Sequence, residues 1–102
     1  MSKKVLQINL RFNGSTEVLE KDFNEVANPI SEVLGLKWKI FGINGEEKEA
    51  TGIYLFEDED SLKAYINGPI IAALKTKEVF TEMKIRIFDI SAEATAKTRG
   101  PV

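Results

Sequence analysis

The chain contains no histidine and no cysteine, which shortens the list of side chains that could do chemistry. Without a thiolate there is no cysteine nucleophile, Cys-ligated zinc or iron–sulfur cluster. Without an imidazole, the usual haem ligand and the commonest neutral-pH acid/base are missing. The candidates that remain are Trp38, Tyr54, Tyr65, Arg86 and Asn9. Trp38 could wall a pocket for an aromatic substrate, or simply fill a small core. Each tyrosine carries a hydroxyl that needs a partner when buried, and either could bind a substrate oxygen. Arg86 could clamp an anionic or enolate oxygen, although a charge on a strand equally suits a surface or an interface rim. Asn9 is a weaker candidate of the same kind. A general base must then be a carboxylate, a lysine or a tyrosine with a displaced pKa, and the residues do not say which.

Other chemistries are excluded by spacing. The acidic run Glu57-Asp58-Glu59-Asp60 resembles a calcium loop only superficially. Counted from Asp58, the turn-forming glycine and the closing glutamate would have to stand where Lys63 and Pro69 do. Carboxylates capping a helix N-terminus explain the run. There is no phosphate-cradling glycine motif, nucleophile elbow or zinc-protease motif. The expectation is therefore no metal and no cofactor. A net charge of −2 and a pI near 5.2 argue against nucleic acid or an anionic membrane as partner.

The elements that must position these residues follow from periodicity. At 102 residues the chain has room for one domain, with a core over about residues 4–91. Leu6, Ile8, Leu10 and Phe12 alternate with Gln7, Asn9 and Arg11, a half-buried strand. Ser15 is placed to cap a helix whose stripe is Leu19, Phe23, Val26, Ile30 and Val33/Leu34, with a kink expected at Pro29 and a stop at Gly35. Leu36, Trp38 and Ile40 alternate with Lys37, Lys39 and Phe41 in a second strand. Asn44-Gly45 predicts a tight hairpin into a third strand ending at Phe56. Leu62, Tyr65/Ile66, Ile70 and Ala73/Leu74 stripe a second helix, broken by Gly68-Pro69, where a gap beneath the break could form a pocket. Met83, Ile85 and Ile87 mark the last strand. From Ser91 the chain loses periodicity, which predicts a mobile tail over 92–102 or a segment lying on a partner.

This order predicts an α+β, ferredoxin-like β-α-β-β-α-β sandwich: a four-stranded antiparallel sheet with both helices on one face. The alternation assigns Gln7, Asn9, Lys39, Phe41, Tyr54, Phe56, Arg86 and Phe88 to the helix-free face. Four exposed aromatics would be costly, so a homodimer through the sheet faces is expected. The RNA-recognition module shares this topology, with aromatics on its central strands. Here Val5-Leu6-Gln7-Ile8-Asn9-Leu10 of the first strand carries no aromatic for base stacking and the chain is acidic, so RNA is the most distant alternative. The chain leads from Met1-Ser2-Lys3-Lys4 into a strand with no apolar leader or span, so a cytoplasmic protein without a membrane partner is expected.

On Leu36-Lys37-Trp38-Lys39, Gly52-Ile53-Tyr54-Leu55-Phe56 with Asp58 and Ser61, Ala64-Tyr65 and Lys84-Ile85-Arg86-Ile87-Phe88-Asp89, the chain resembles the mono-oxygenase family typified by YdhR, within the dimeric α+β barrel superfamily. The resemblance spans roughly Val5 to Ser91. It implies a homodimer with packed sheets and a cavity between sheet and helices in each subunit. Relatives of that superfamily include cofactor-free oxygenases of phenols and anthrones, and haem-degrading enzymes. Lacking histidine, this chain departs from the haem group. The implied function is a cofactor-independent mono-oxygenase for a small hydrophobic aromatic, with Trp38, Tyr54, Tyr65 and Arg86 available to the pocket. The alternative is a non-catalytic dimer binding a small apolar ligand.

Overall fold

Strand β1 (Lys4–Phe12) carries the cleanest alternation in the chain, and its apolar half is buried: Leu6, Ile8, Leu10 and Phe12. The computed structural model describes residues 2–102. Helix α1 (Thr16–Ser31) begins where Ser15 Oγ accepts the Val18 amide at 3.2 Å. It runs unbroken through Pro29 and ends at Ser31, short of the Gly35 stop expected, and Leu34 beyond it is 85% exposed. The chain turns at Gly35 with φ +83, and a Cβ there would come within 2.4 Å of the Ser61 side chain. Strand β2 (Leu36–Asn44) joins β3 (Glu49–Phe56) through four residues, 45–48, and not through the expected two-residue turn. Asn44 Oδ1 accepts the Glu47 amide inside that loop. Helix α2 (Glu59–Ile66) is capped by Asp58, whose carboxylate accepts the Ser61 amide at 2.8 Å. That bond also holds the Asp58 carboxyl below its ordinary pKa. Helix α3 (Pro69–Lys75), strand β4 (Phe80–Asp89) and helix α4 (Ala92–Lys97) complete the chain.

The strands form one antiparallel sheet in the order β2-β3-β1-β4. This is the ferredoxin-like α+β arrangement that the periodicities predict. Residues directly opposite on neighbouring strands share a face. On the helix-covered face, Lys39, Tyr54, Leu6 and Ile87 make one row, and Phe41, Gly52, Ile8 and Ile85 the next. Leu6, Ile8 and Tyr54 from these rows, with Phe41 and Ile85 packed against them, join Phe56, Leu62, Tyr65 and Ile71 in the main core, while Ile87 at the edge is 44% exposed.

The expected assignment of faces is corrected at four positions. Lys39, Phe41, Tyr54 and Phe56 lie on the helix-covered face, not the free one. In β2 the cause is a bulge: Leu36 stands opposite Phe56, yet Trp38 stands opposite Leu55. One extra residue reverses the alternation, so Leu36 points to the core while Trp38 and Ile40 point away. In β3, the unbroken run Ile53-Tyr54-Leu55-Phe56 offers no polar partner by which to set its phase. Of the four aromatics expected outside, only Phe88 is there, 46% exposed.

The helix-free face therefore consists of different rows. Trp38, Leu55, Val5 and Phe88 form an apolar one; Ile40, Ile53, Gln7 and Arg86 a mixed one; Gly42, Thr51, Asn9 and Lys84 a polar one. Beyond Ser91, where a mobile or partner-bound tail was expected, six residues form α4, which buries none of its side chains. Arg99 with φ 65 then turns the chain back, and Trp38 Nε1 donates to Pro101 O at 2.8 Å. Among the described residues, no helix is long and apolar enough to cross a membrane.

Candidate functional site

The second helical stripe is broken at Asn67-Gly68, and the break opens space above the sheet. Gly68 is forced there: a Cβ would stand 2.9 Å from the Ala64 carbonyl oxygen. Pro69, lacking an N–H, begins α3 at the position where none is needed. Beneath the break the sheet presents small residues, Gly52 and Ala50. The result is a cavity of about 380 Å³ between the sheet and helices α1, α2 and α3. Phe23, Val26 and Ile30 wall it from α1, Ile70 and Leu74 from α3, and Ile8, Leu10 and Phe41 from the sheet. An apolar cavity of about 150 Å³ is enough for benzene, so this one has room for a fused aromatic.

Three polar side chains reach the cavity from opposite sides. Tyr54 comes from β3 and Tyr65 from α2, and their hydroxyl oxygens are 2.9 Å apart. Burial pushes both phenol pKa values up; the neighbouring Tyr65 adds to the rise at Tyr54, while their hydrogen bond partly offsets it at Tyr65. Both phenols therefore stay protonated across the physiological range, and the pair has one O–H to spare for a ligand. The third is Lys39, from β2. Its ammonium nitrogen lies 3.8 Å from the Phe41 ring centre and 4.5 Å from that of Tyr54. Burial pushes its pKa down to about 7. Lys4, Lys37, Lys63 and Lys97 all have carboxylate partners. Among the described residues, Lys39 has none. Gly52 makes its position possible, since a Cβ at 52 would meet Lys39 Cε and Tyr54 Cε1 at 2.9 Å. Asp22 and the exposed Lys77 also line the cavity, which thus meets solvent on that side.

The five residues singled out in the sequence do not converge. Tyr54 and Tyr65 meet in the cavity. Trp38, Arg86 and Asn9 lie on the other side of the sheet: Trp38 against the tail, Arg86 exposed, and Asn9 accepting from Thr51 Oγ1 at 2.7 Å and from Gln7 Nε2 at 3.3 Å. Lys39 was missed because regular alternation sends it outward. The available signal was its place between Trp38 and Ile40, a charge flanked directly by large apolar residues.

A cavity under a broken second helix, on a four-stranded antiparallel sheet, is the frame within which similarity to known proteins can be judged. The family model described as "Putative mono-oxygenase ydhR" matches residues 5–101. The chain belongs to this family. No curated protein matches it significantly in sequence. Solved structures agree with the fold. A protein of unknown function from Nitrosomonas europaea, NE2512, is 23% identical with TM-score 0.72, over 89% of this chain and 91% of that one. SnoaB, a cofactor-independent oxygenase from Streptomyces nogalater, is 13% identical with TM-score 0.70, over 86% of this chain and 92% of that one. The haem-degrader MhuD from Mycobacterium tuberculosis, whose structure holds two haems in its active site, is 24% identical with TM-score 0.65, over 85% and 95%. Haem does not suit the cavity of this YdhR-family chain. It offers neither imidazole nor thiolate, and the two phenol oxygens that could ligate iron are paired and held protonated.

Proposed function

We propose that the protein is a cofactor-independent mono-oxygenase acting on a small hydrophobic aromatic, a phenol, anthrone or quinol, bound in the cavity. The observation that carries this reading is Lys39, a half-buried amine with no carboxylate within ion-pair distance, reaching into a mainly apolar cavity. At neutral pH a large share of it is unprotonated and can accept a proton. Its substrate is an aromatic whose O–H or C–H is acidic enough to yield that proton. The spare O–H of the Tyr54–Tyr65 pair donates to the developing oxyanion, and the apolar walls keep water from competing. The aromatic anion then reduces dioxygen directly. For an anthrone the methylene carbon becomes a carbonyl: one oxygen atom stays on carbon, and the other leaves as water with the two hydrogens. The substrate supplies all four electrons, so no further reductant is required.

The test is aerobic incubation of the purified protein with anthrones and hydroquinones, following oxygen uptake and quinone absorbance. The reading fails if the rate does not exceed buffer, or if Lys39→Met proceeds at the wild-type rate. The scarcity of polar groups in the cavity favours a second reading, binding without turnover. Thermal stabilisation by aromatics with no oxygen consumed would mark it.

The proposed partner is a second copy, pairing through the helix-free face. Support comes from the apolar row Trp38-Leu55-Val5-Phe88, from Ile40, which is 53% exposed beside it, and from α4. A six-residue helix with no buried side chain is marginal alone and gains by being covered. Sedimentation at micromolar concentration as a single subunit would overturn the pairing. An RNA partner gains nothing from the geometry, because Tyr54 and Phe56 face the helices and leave β1 and β3 without a stacking surface.

A further inference from the structure

We propose that Lys39 is an imine-forming amine, and that the cavity takes aromatic aldehydes and ketones covalently, as Schiff bases on its nitrogen. The proposal rests on the same reading of the cavity as the ligand site, but not on oxygen chemistry. Three requirements of imine formation meet at this place. The first is an amine free of an ion pair, which Lys39 shares with several surface lysines but combines with a place inside the cavity lining. The second is a largely apolar space that favours loss of water, which the walls from α1, α3 and the sheet provide even though the cavity meets solvent beside Asp22 and Lys77. The third is a proton donor for the departing hydroxyl. The Tyr54–Tyr65 hydroxyl pair opens on the same cavity, and the Tyr54 ring is 4.5 Å from the Lys39 nitrogen. Burial adds the protonation state, since an amine with a pKa of about 7 is a nucleophile under neutral conditions.

The chemistry balances without any further reagent. The amine nitrogen adds to the carbonyl carbon and gives a carbinolamine. The carbinolamine oxygen leaves as water, carrying the two hydrogens originally on nitrogen, while a phenol of the tyrosine pair lends one proton and regains it. A carbon–oxygen double bond is exchanged for a carbon–nitrogen double bond, and nothing is oxidised or reduced.

The probe is 2-naphthaldehyde at pH 7 with sodium cyanoborohydride, which reduces an imine to a stable secondary amine. Intact mass counts the adducts and peptide mapping locates them. The expected result is one adduct on Lys39, formed about a thousand-fold faster than on an ordinary surface lysine, from the ratio of unprotonated fractions at pH 7. Excess naphthalene should suppress it by filling the cavity, and Lys39→Met should remove it. Label spread over the surface lysines with Lys39 unmodified would overturn the proposal, and mapping in the wild-type protein decides this even if the variant does not fold. Oxygen uptake with anthrones is followed separately. Uptake without an adduct overturns the imine alone, and an adduct without uptake overturns the oxygenase reading alone.

Discussion

Trp38 and Lys39 are adjacent in sequence and lie on opposite faces of the same sheet. The lysine points into the layer built by Leu6, Ile8, Phe56 and Leu62, where a charge is costly and its pKa falls. The tryptophan points to the side where no helix packs, and spends its one donor on the returning tail. The covered face carries enough apolar packing to hold a destabilising group in place. The free face carries one apolar row, one mixed row and one polar row, with the charges of Arg86 and Lys84 in water. A reactive site can be built only where neighbouring packing outweighs the cost of burying it.

The contrast can be broken most sharply by activity. Lys39→Met is expected to lower turnover of an active aromatic by roughly 10²–10⁴-fold, whereas Trp38→Phe, across the sheet, leaves it near wild type. Steady-state oxygen consumption compares the two, and equal losses would merge the faces functionally. In stability the asymmetry should be as plain. Phe56→Ala, at a fully buried position, should cost about 3–5 kcal/mol in urea titrations. Ile40→Ala should cost less than about 0.5 kcal/mol in the single subunit, and more only where a second copy covers it.

Titration sharpens the comparison further. Lys39 releases its proton at about 7 when folded and at its ordinary 10.5 when unfolded, so between these values the unfolded chain holds more protons. Stability should therefore rise with pH across that window, by at most about 1.4 kcal/mol per pH unit, and be lost as pH falls through 7. The groups facing Lys39 are Tyr54, Tyr65, Asp22 and Lys77. The two phenols, held above their usual 10, give stability that is present below pH 10 and drains away above it. Urea midpoints that stay level from pH 7 to 10, in protein whose Lys39→Met variant is equally level, would show that the amine reaches water after all. Smaller again is Tyr65→Phe, which leaves the Tyr54 hydroxyl unpaired at a cost of about 1–3 kcal/mol. Smaller still is Trp38→Phe, about 0.5–1.5 kcal/mol for its single hydrogen bond, read as a shift in thermal midpoint, with only Ile40→Ala in the single subunit below it.

Element order and topology were legible because long segments with clear periods decide them. Leu6 through Phe12 alternates without a break, and Ser15 and Asp58 cap the helices that follow them. The break at Gly68-Pro69 pointed to the gap that the cavity occupies. What did not show was the phase of β2 and β3. A bulge between Leu36 and Trp38 leaves no mark in residue type, and an all-apolar strand fits either face equally. Those two ambiguities moved Tyr54, Phe56 and Phe41 inward and Trp38 outward, and they concealed Lys39. Two of the five candidate residues, Tyr54 and Tyr65, do meet in the cavity, where each buried hydroxyl finds its partner in the other. The lowered pKa of the lysine comes from tertiary packing, and its place between Trp38 and Ile40 was the one local sign of it.

The hydrogen bond from Trp38 to Pro101 also has an optical consequence. The chain holds a single tryptophan, and its indole is fixed by the returning C-terminal segment on the far side of the sheet from the cavity. Its emission should shift when that segment detaches or when another subunit docks, and stay largely indifferent to a colourless molecule entering beneath the helices. Assembly and occupancy can therefore be followed separately in one sample, the first by this built-in fluorophore and the second by calorimetry.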